Sequence, residues 1–168
     1  MTDYRKSSKT RLVEALNKAN PKYPILADSI VFGNAINWVH TGKNSKVVLT
    51  PSNGNLTGKR TVYYNRLDLA TLFTNLNVSA LILTGNETTT HDVLPLILAQ
   101  YSVNLLPDEI INEPIISNDI IIIRATPVAL GWTGFYNVAT DADDLYVVMG
   151  LDDGSGFILD NGAFLLNS

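Results

Sequence analysis

The apolar positions Val13, Leu16 and Ala19 fall three apart, the spacing of one helix face, and Val93, Leu96 and Ala99 repeat it eighty residues later. Other stretches change period. KRTVYYN (59–65) and FYNVAT (135–140) alternate in the way of strands covered on one face, and AINWV, KVVLT, PIIS and IIIIRA read as short strands between polar turns. A helix is expected to start after Ser8 or Thr10 and another after Thr89, where Asp92 three residues on completes a capping-box pattern. Pro95 is read in the first turn of that second helix, where a missing N–H costs little. Asp68 before LATLF reads as the N-cap of a third, short helix, and SALILT as a further strand.

The pattern also recurs as a whole. At an offset of 76, TPSNGNLTGKRTVYYNRLDL (50–69) lies without a gap on TPVALGWTGFYNVATDADDL (126–145), with identities that include Thr50/Thr126, Pro51/Pro127, Thr57/Thr133, Gly58/Gly134, Val62/Val138 and Asp68/Asp144. Upstream the offset is 80, laying 10–31 on 90–111. The four-residue difference falls where HTGKNSK is replaced by SND, a turn between strands. The expected architecture is α+β: two tandem copies of a small helix-plus-antiparallel-sheet unit, over 8–84 and 85–168, behind a basic arm at 1–7. The segment 141–168 reads as strands or a docking tail.

Composition narrows the chemistry. With 168 residues, 46% apolar and 17% charged, the chain can build a packed core. It has no cysteine, which excludes disulfides, thiolate zinc sites and cysteine nucleophiles; zinc would need His40 and His91 with carboxylates. The start MTDYRKSSKTR lacks a signal-peptide core and the longest apolar run, IIII at 120–123, is too short to span a bilayer, so a soluble chain made in the cytoplasm is expected. The sequons at Asn55, Asn77 and Asn86 reflect a composition rich in Asn and Thr.

Charge is divided between the halves. Residues 1–84 carry eleven Lys/Arg against four acids, a net +7, whereas 85–168 carry Arg124 alone against twelve acids, a net −11. The cations Arg5, Lys6, Lys9 and Arg11 and the acids Asp141, Asp143, Asp144, Asp152 and Asp153 are the candidate interaction residues, pairing one copy of the chain with the next. A nucleic-acid partner is disfavoured, because the chain as a whole is acidic and its basic residues do not interleave with aromatics.

Other motifs reduce to construction. TPSNGNLTGK mimics a phosphate loop, but Gly54 and Gly58 enclose three residues, Arg60 stands where a hydroxyl residue is needed, and a strand rather than a helix follows. Thr50, Pro51, Thr57 and Gly58, with Thr126, Pro127, Thr133 and Gly134, are read as turn residues, the glycines supplying a backbone angle that other residues resist. DADD and DDGSG do not fit a calcium loop and read as polar turns. Neither His40 nor His91 has a partner constellation for acid–base work, so no catalytic residue, cofactor, metal or small-molecule substrate is expected. Trp38, Trp132, Tyr63, Tyr64 and Tyr136 read as core or sheet-face aromatics, with a sugar-stacking patch as the other possibility.

KTRLVEALNKAN, TVYYNRLDLATLF and TTHDVLPLILAQYSVNLLPDEIINEPI, together with the later Trp132-Thr133-Gly134, resemble a family of small, uncharacterised virion structural proteins of large tailed bacteriophages, over about 10–140. The resemblance implies a component of the virion in a head-decoration, collar, tail or baseplate position, with other virion proteins and copies of itself as partners and no membrane. It carries no catalytic residues. A virion surface accessory that binds host receptor or carbohydrate is the alternative.

Overall fold

A computed structural model describes residues 3–52, 57–116 and 120–142, and the fold is α+β. The first helix, α1 (Ser8–Ala19), turns the apolar stripe of Leu12, Val13 and Leu16 onto the inner face of a sheet. That sheet contains β1 (Ile30–Phe32), β2 (Ile36–His40), β3 (Lys43–Pro51) and β4 (Arg60–Tyr64). The long strand β3 is its spine: it pairs antiparallel with β4 along one edge, and with β2 and then β1 along the other. Alternation decides the faces, with Val47 and Leu49 buried under α1 and Lys46 and Val48 turned away from it.

The chain then crosses to a second sheet. After β5 (Leu67–Asp68) and the short helix α2 (Leu69–Asn75) comes β6 (Ala80–Leu83), followed by α3 (Thr90–Tyr101), β7 (Ile120–Arg124), β8 (Trp132–Thr133) and β9 (Phe135–Ala142). β7 and β9 form an antiparallel pair, and β6 adds to the other edge of β9 in parallel; β5 and β8 make a separate two-residue parallel pair. The sheets are thus not purely antiparallel, because a strand arriving from the first half of the chain runs alongside one from the second. Leu72 and Phe73 of α2, Val93 and Ile97 of α3, Leu81, Ile121, Ile123, Val138 and Trp132 form the larger of the two cores.

Several local expectations need correction. The N-cap of α1 is Ser7, whose side chain accepts from the Thr10 N–H; Ser8 lies inside the helix and is buried. Pro95 is in the second turn of α3, so the His91 carbonyl loses its intrahelical donor. Residues 114–116 of PIIS do not form a strand, Pro114 making only an isolated bridge to Thr89, and Ser117 lies outside the described residues. Asp68 does cap α2, accepting from the Thr71 N–H, and the Asp92 carboxylate does reach back to the N–H groups of Thr88 and Thr89, which holds its pKa down.

The two halves repeat some backbone geometry. Ser29 N–H bonds to Leu26 O at 3.0 Å and Glu109 N–H to Leu106 O at 2.9 Å; Ser52 N–H bonds to Ser29 O at 2.9 Å and Thr126 N–H to Glu109 O at 2.8 Å. Ile30 pairs with Pro51 as Ile110 does with Ala125, and Val47 with Val62 as Ile121 does with Val138. Thr126 therefore occupies the place of Ser52, not that of Thr50. Thr50 and Pro51 are not turn residues, since they end β3 opposite Val31 and Ile30, and Thr133 lies in β8. The gap-free match slips by two residues at this point, and an even slip leaves every side chain on its own face.

Candidate assembly surfaces

The seam between the halves is built on two buried charges. Glu109 is 4% exposed and gathers three donors from two segments: Ser8 Oγ at 2.7 Å from α1, and the Gly131 N–H at 2.8 Å and Trp132 Nε1 at 3.1 Å from the connection into β8. A carboxylate is acceptor-only and can take all three at once. The Arg11 guanidinium stacks on the Trp132 ring at 4.3 Å and donates to Ser8 Oγ at 3.2 Å. Burial lowers the Arg11 pKa and the nearby Glu109 charge opposes that shift. The packing is tight: a Cβ at Gly131 would lie 2.0 Å from Ser8 Oγ and 2.7 Å from its Cβ.

Arg66 is the second node and also only 4% exposed. Its Nε donates to Ser45 Oγ at 2.7 Å, its Nη1 to the carbonyls of Pro127 and Ala129 at 3.0 Å each, and its Nη2 to Asn37 Oδ1. These acceptors are all neutral, and burial pulls its pKa down. Arg66 thereby ties β2 and β3 to the loop before β8. Neither seam residue stands out in the sequence, where Glu109 is one acid in LPDEII and Arg66 one cation in a basic half.

The sequence-derived interaction residues divide. Arg5 is exposed, and Lys9 lies over Phe32 at 5.9 Å. Lys6 is held by Glu14 at 2.6 Å on the surface of α1. Arg11 is the exception: it is committed inside the chain, because the Trp132 face offers its planar cation a better-shielded seat than water does. Asp141 lies in β9, while Asp143, Asp144, Asp152 and Asp153 fall outside the described residues. Gly58 and Gly134 both have positive φ, 80° and 73°.

Among the described residues, both larger sheets leave one face uncovered by helix. On the second sheet the outward positions of the paired strands bring together Ile82, Ile120, Ile122 and Phe135, all exposed. On the first, Trp38 and Tyr63 stack with ring centroids 5.5 Å apart, and Lys46 Nζ sits 4.0 Å from the Trp38 ring. Exposed apolar clusters of this kind mark interaction surfaces more often than isolated exposed residues do.

The histidines are apart: His40 ends β2, and His91 Nε2 is 2.9 Å from the Ile110 carbonyl. Among the described residues no group of three or more His, Asp or Glu could hold a metal ion, and no helix is long and apolar enough to cross a membrane. No curated protein and no solved structure matches the chain. A family model does match, over residues 1–145, and the chain belongs to that family, DUF7941, a family of unknown function.

Proposed function

We propose that this chain is a non-enzymatic structural protein of a tailed-bacteriophage virion, built as two tandem copies of one unit and assembling through contact between copies of itself and with other virion proteins. The observation that carries the reading is the division of charge, +7 on residues 1–84 and −11 on 85–168. It favours contact of the positive half of one copy with the negative half of the next, and the uncovered apolar sheet faces supply area for such contact. The repeated hydrogen bonds at Ser29/Glu109 and Ser52/Thr126 support the duplication. The sequence resemblance supports the virion setting.

Sedimentation of the purified chain at low and high salt, with mass spectrometry of purified particles, tests the proposal. Salt-sensitive self-association and many copies per particle are expected. A chain that stays monomeric at high concentration and low salt, and is missing from particles, overturns it. One observation favours a second reading, a surface accessory for glycans: the Trp38–Tyr63 pair, whose faces could stack on a sugar ring. Binding of the isolated chain to a glycan array, lost in Trp38→Ala, would favour that reading.

A further inference from the structure

The two sheets differ at one edge. In the second, the edge of β9 away from β7 is occupied by β6, in the register Ala80↔Ala139 and Leu81↔Thr140, with Leu81 fully buried. The side chains of α3 close over that strand: Gln100 bonds to both the N–H and the carbonyl of Ile82, and the Tyr101 hydroxyl donates to the Ala80 carbonyl. In the first sheet β4 stands where β9 stands, paired with β3 on one edge only. Its other edge has no strand partner among the described residues.

That edge opens into a groove instead. Two adjoining clefts, about 430 Å³ and 530 Å³, run between α1 and β4 and share Leu16 and Val62. The consequence shows in burial: Val138 of β9 is 1% exposed, while Val62, its counterpart on β4, is only partly buried. A free strand edge beside an apolar groove is the arrangement that accepts an added strand, main-chain bonds giving affinity and alternate side chains filling the groove.

The sequence contains a second stretch that resembles β6. β6 and its flank read Ser79-Ala-Leu-Ile-Leu-Thr; at the same offset of 76 stands Ser155-Gly-Phe-Ile-Leu-Asp, identical at Ser79/Ser155, Ile82/Ile158 and Leu83/Leu159. We propose that residues 155–160 of a second copy of this chain add in parallel to the free edge of β4, Gly156 opposite Tyr63 and Phe157 turned into the groove as Leu81 is beneath α3. This deepens, and rests on, the proposed assembly of the chain with itself.

A second copy, rather than the same molecule, follows from the way the halves meet. Were they related by a two-fold, each contact across the seam would have a reciprocal. Ser8 bonds to Glu109, but Thr88, eighty residues on from Ser8, bonds to Asp92 in its own half. Ala35 N–H bonds to Val128 O across the seam, while Ile115, eighty residues on, bonds to Thr88 in its own half. The relation is therefore heterologous, and repeating it passes the next strand forward to another chain. Charge agrees: Lys43, Lys59 and Arg60 line the groove, while Asp152 and Asp153 precede the incoming segment and Asp160 ends it.

The cysteine-free sequence allows a clean test. Full-length chains carrying Tyr63→Cys and Gly156→Cys separately are mixed under mild oxidation. A disulfide-linked heterodimer is expected, and none when Val39→Cys, on the far side of the sheet, replaces Tyr63→Cys. Phe157→Asp should weaken self-association roughly 50-fold, the scale of losing one buried aromatic. A link formed only within a chain carrying both cysteines overturns the second-copy occupant, and no link at all overturns the docking. If light scattering still shows salt-sensitive assembly in either case, only the strand placement fails and the wider functional reading stands.

Discussion

The two sheets are closed to different degrees. Over the second sheet, α2 and α3 and the added strand β6 close a core of many fully buried residues around Phe73, Leu81 and Trp132. On the first sheet α1 covers a much smaller core of Leu12, Val13, Ile30, Val47 and Leu49, and the edge strand β4 is open among the described residues. Even the smaller core leans on the larger, because Arg11 and Ser8 of α1 reach Trp132 and Glu109. Among the described residues the first half of the chain lends β6 to the second sheet and the first sheet receives no strand in return.

The largest expected effects come from the shared seam. Trp132→Ala empties the centre of the larger core and leaves Glu109 and Arg11 short of a partner; about 4 kcal/mol of destabilisation is expected by denaturant unfolding. Leu12→Ala in the smaller core should cost about 2 kcal/mol, the low end for such truncations, because its surroundings are free to relax. Equal losses would mean that the two cores are equally well built. Glu109→Gln keeps the shape but turns an amide NH₂ toward a donor, and a cost of about 2 kcal/mol is expected.

How much of this was legible in the sequence depends on the range of the interaction. The Asp68 cap, the Asp92 contacts at the start of α3 and the alternation of β4 and β9 involve neighbours in the chain, and each could be read directly. Glu109 could not, because its donors lie about a hundred residues before it and more than twenty after. Nor could the parallel pairing of β6 with β9, for alternation tells which face is buried and not which strand stands alongside. The two-residue slip that separates Thr126 from Thr50 is hidden for a related reason, since it changes partners without changing faces.

Gly58 and Gly134 sharpen the comparison at smaller scale. They align in sequence and share a positive φ, but a Cβ at Gly134 would lie 2.2 Å from Asp68 Oδ2, whereas at Gly58 it would meet nothing within 4 Å. Gly58→Ala should cost about 1 kcal/mol, the strain of a left-handed residue alone. Gly134→Ala should cost about 2 kcal/mol, because it also displaces the Asp68 side chain that caps α2. Unfolding midpoints of the two variants side by side decide the matter; identical shifts would show that the Asp68 contact is immaterial.

The smallest effect is expected at Tyr64, on the open edge of the first unit. Its hydroxyl is buried without a hydrogen-bond partner among the described residues, and burial pushes its pKa up to about 12 from 10.0. A folded-state pKa above the unfolded one means that this group's contribution is complete below pH 10.0 and is lost as pH rises through about 12. Tyr64→Phe removes an unpaired buried hydroxyl at little change of shape, so at pH 7 the variant should be as stable as the parent or slightly more so. Between pH 10 and 12 it should lose less stability than the parent. A clear loss at pH 7 would mean that the hydroxyl has a partner in solution, and Tyr64 lies directly opposite the proposed seat of Phe157; comparing the variant above and below the concentration of self-association would show whether a second copy supplies that partner.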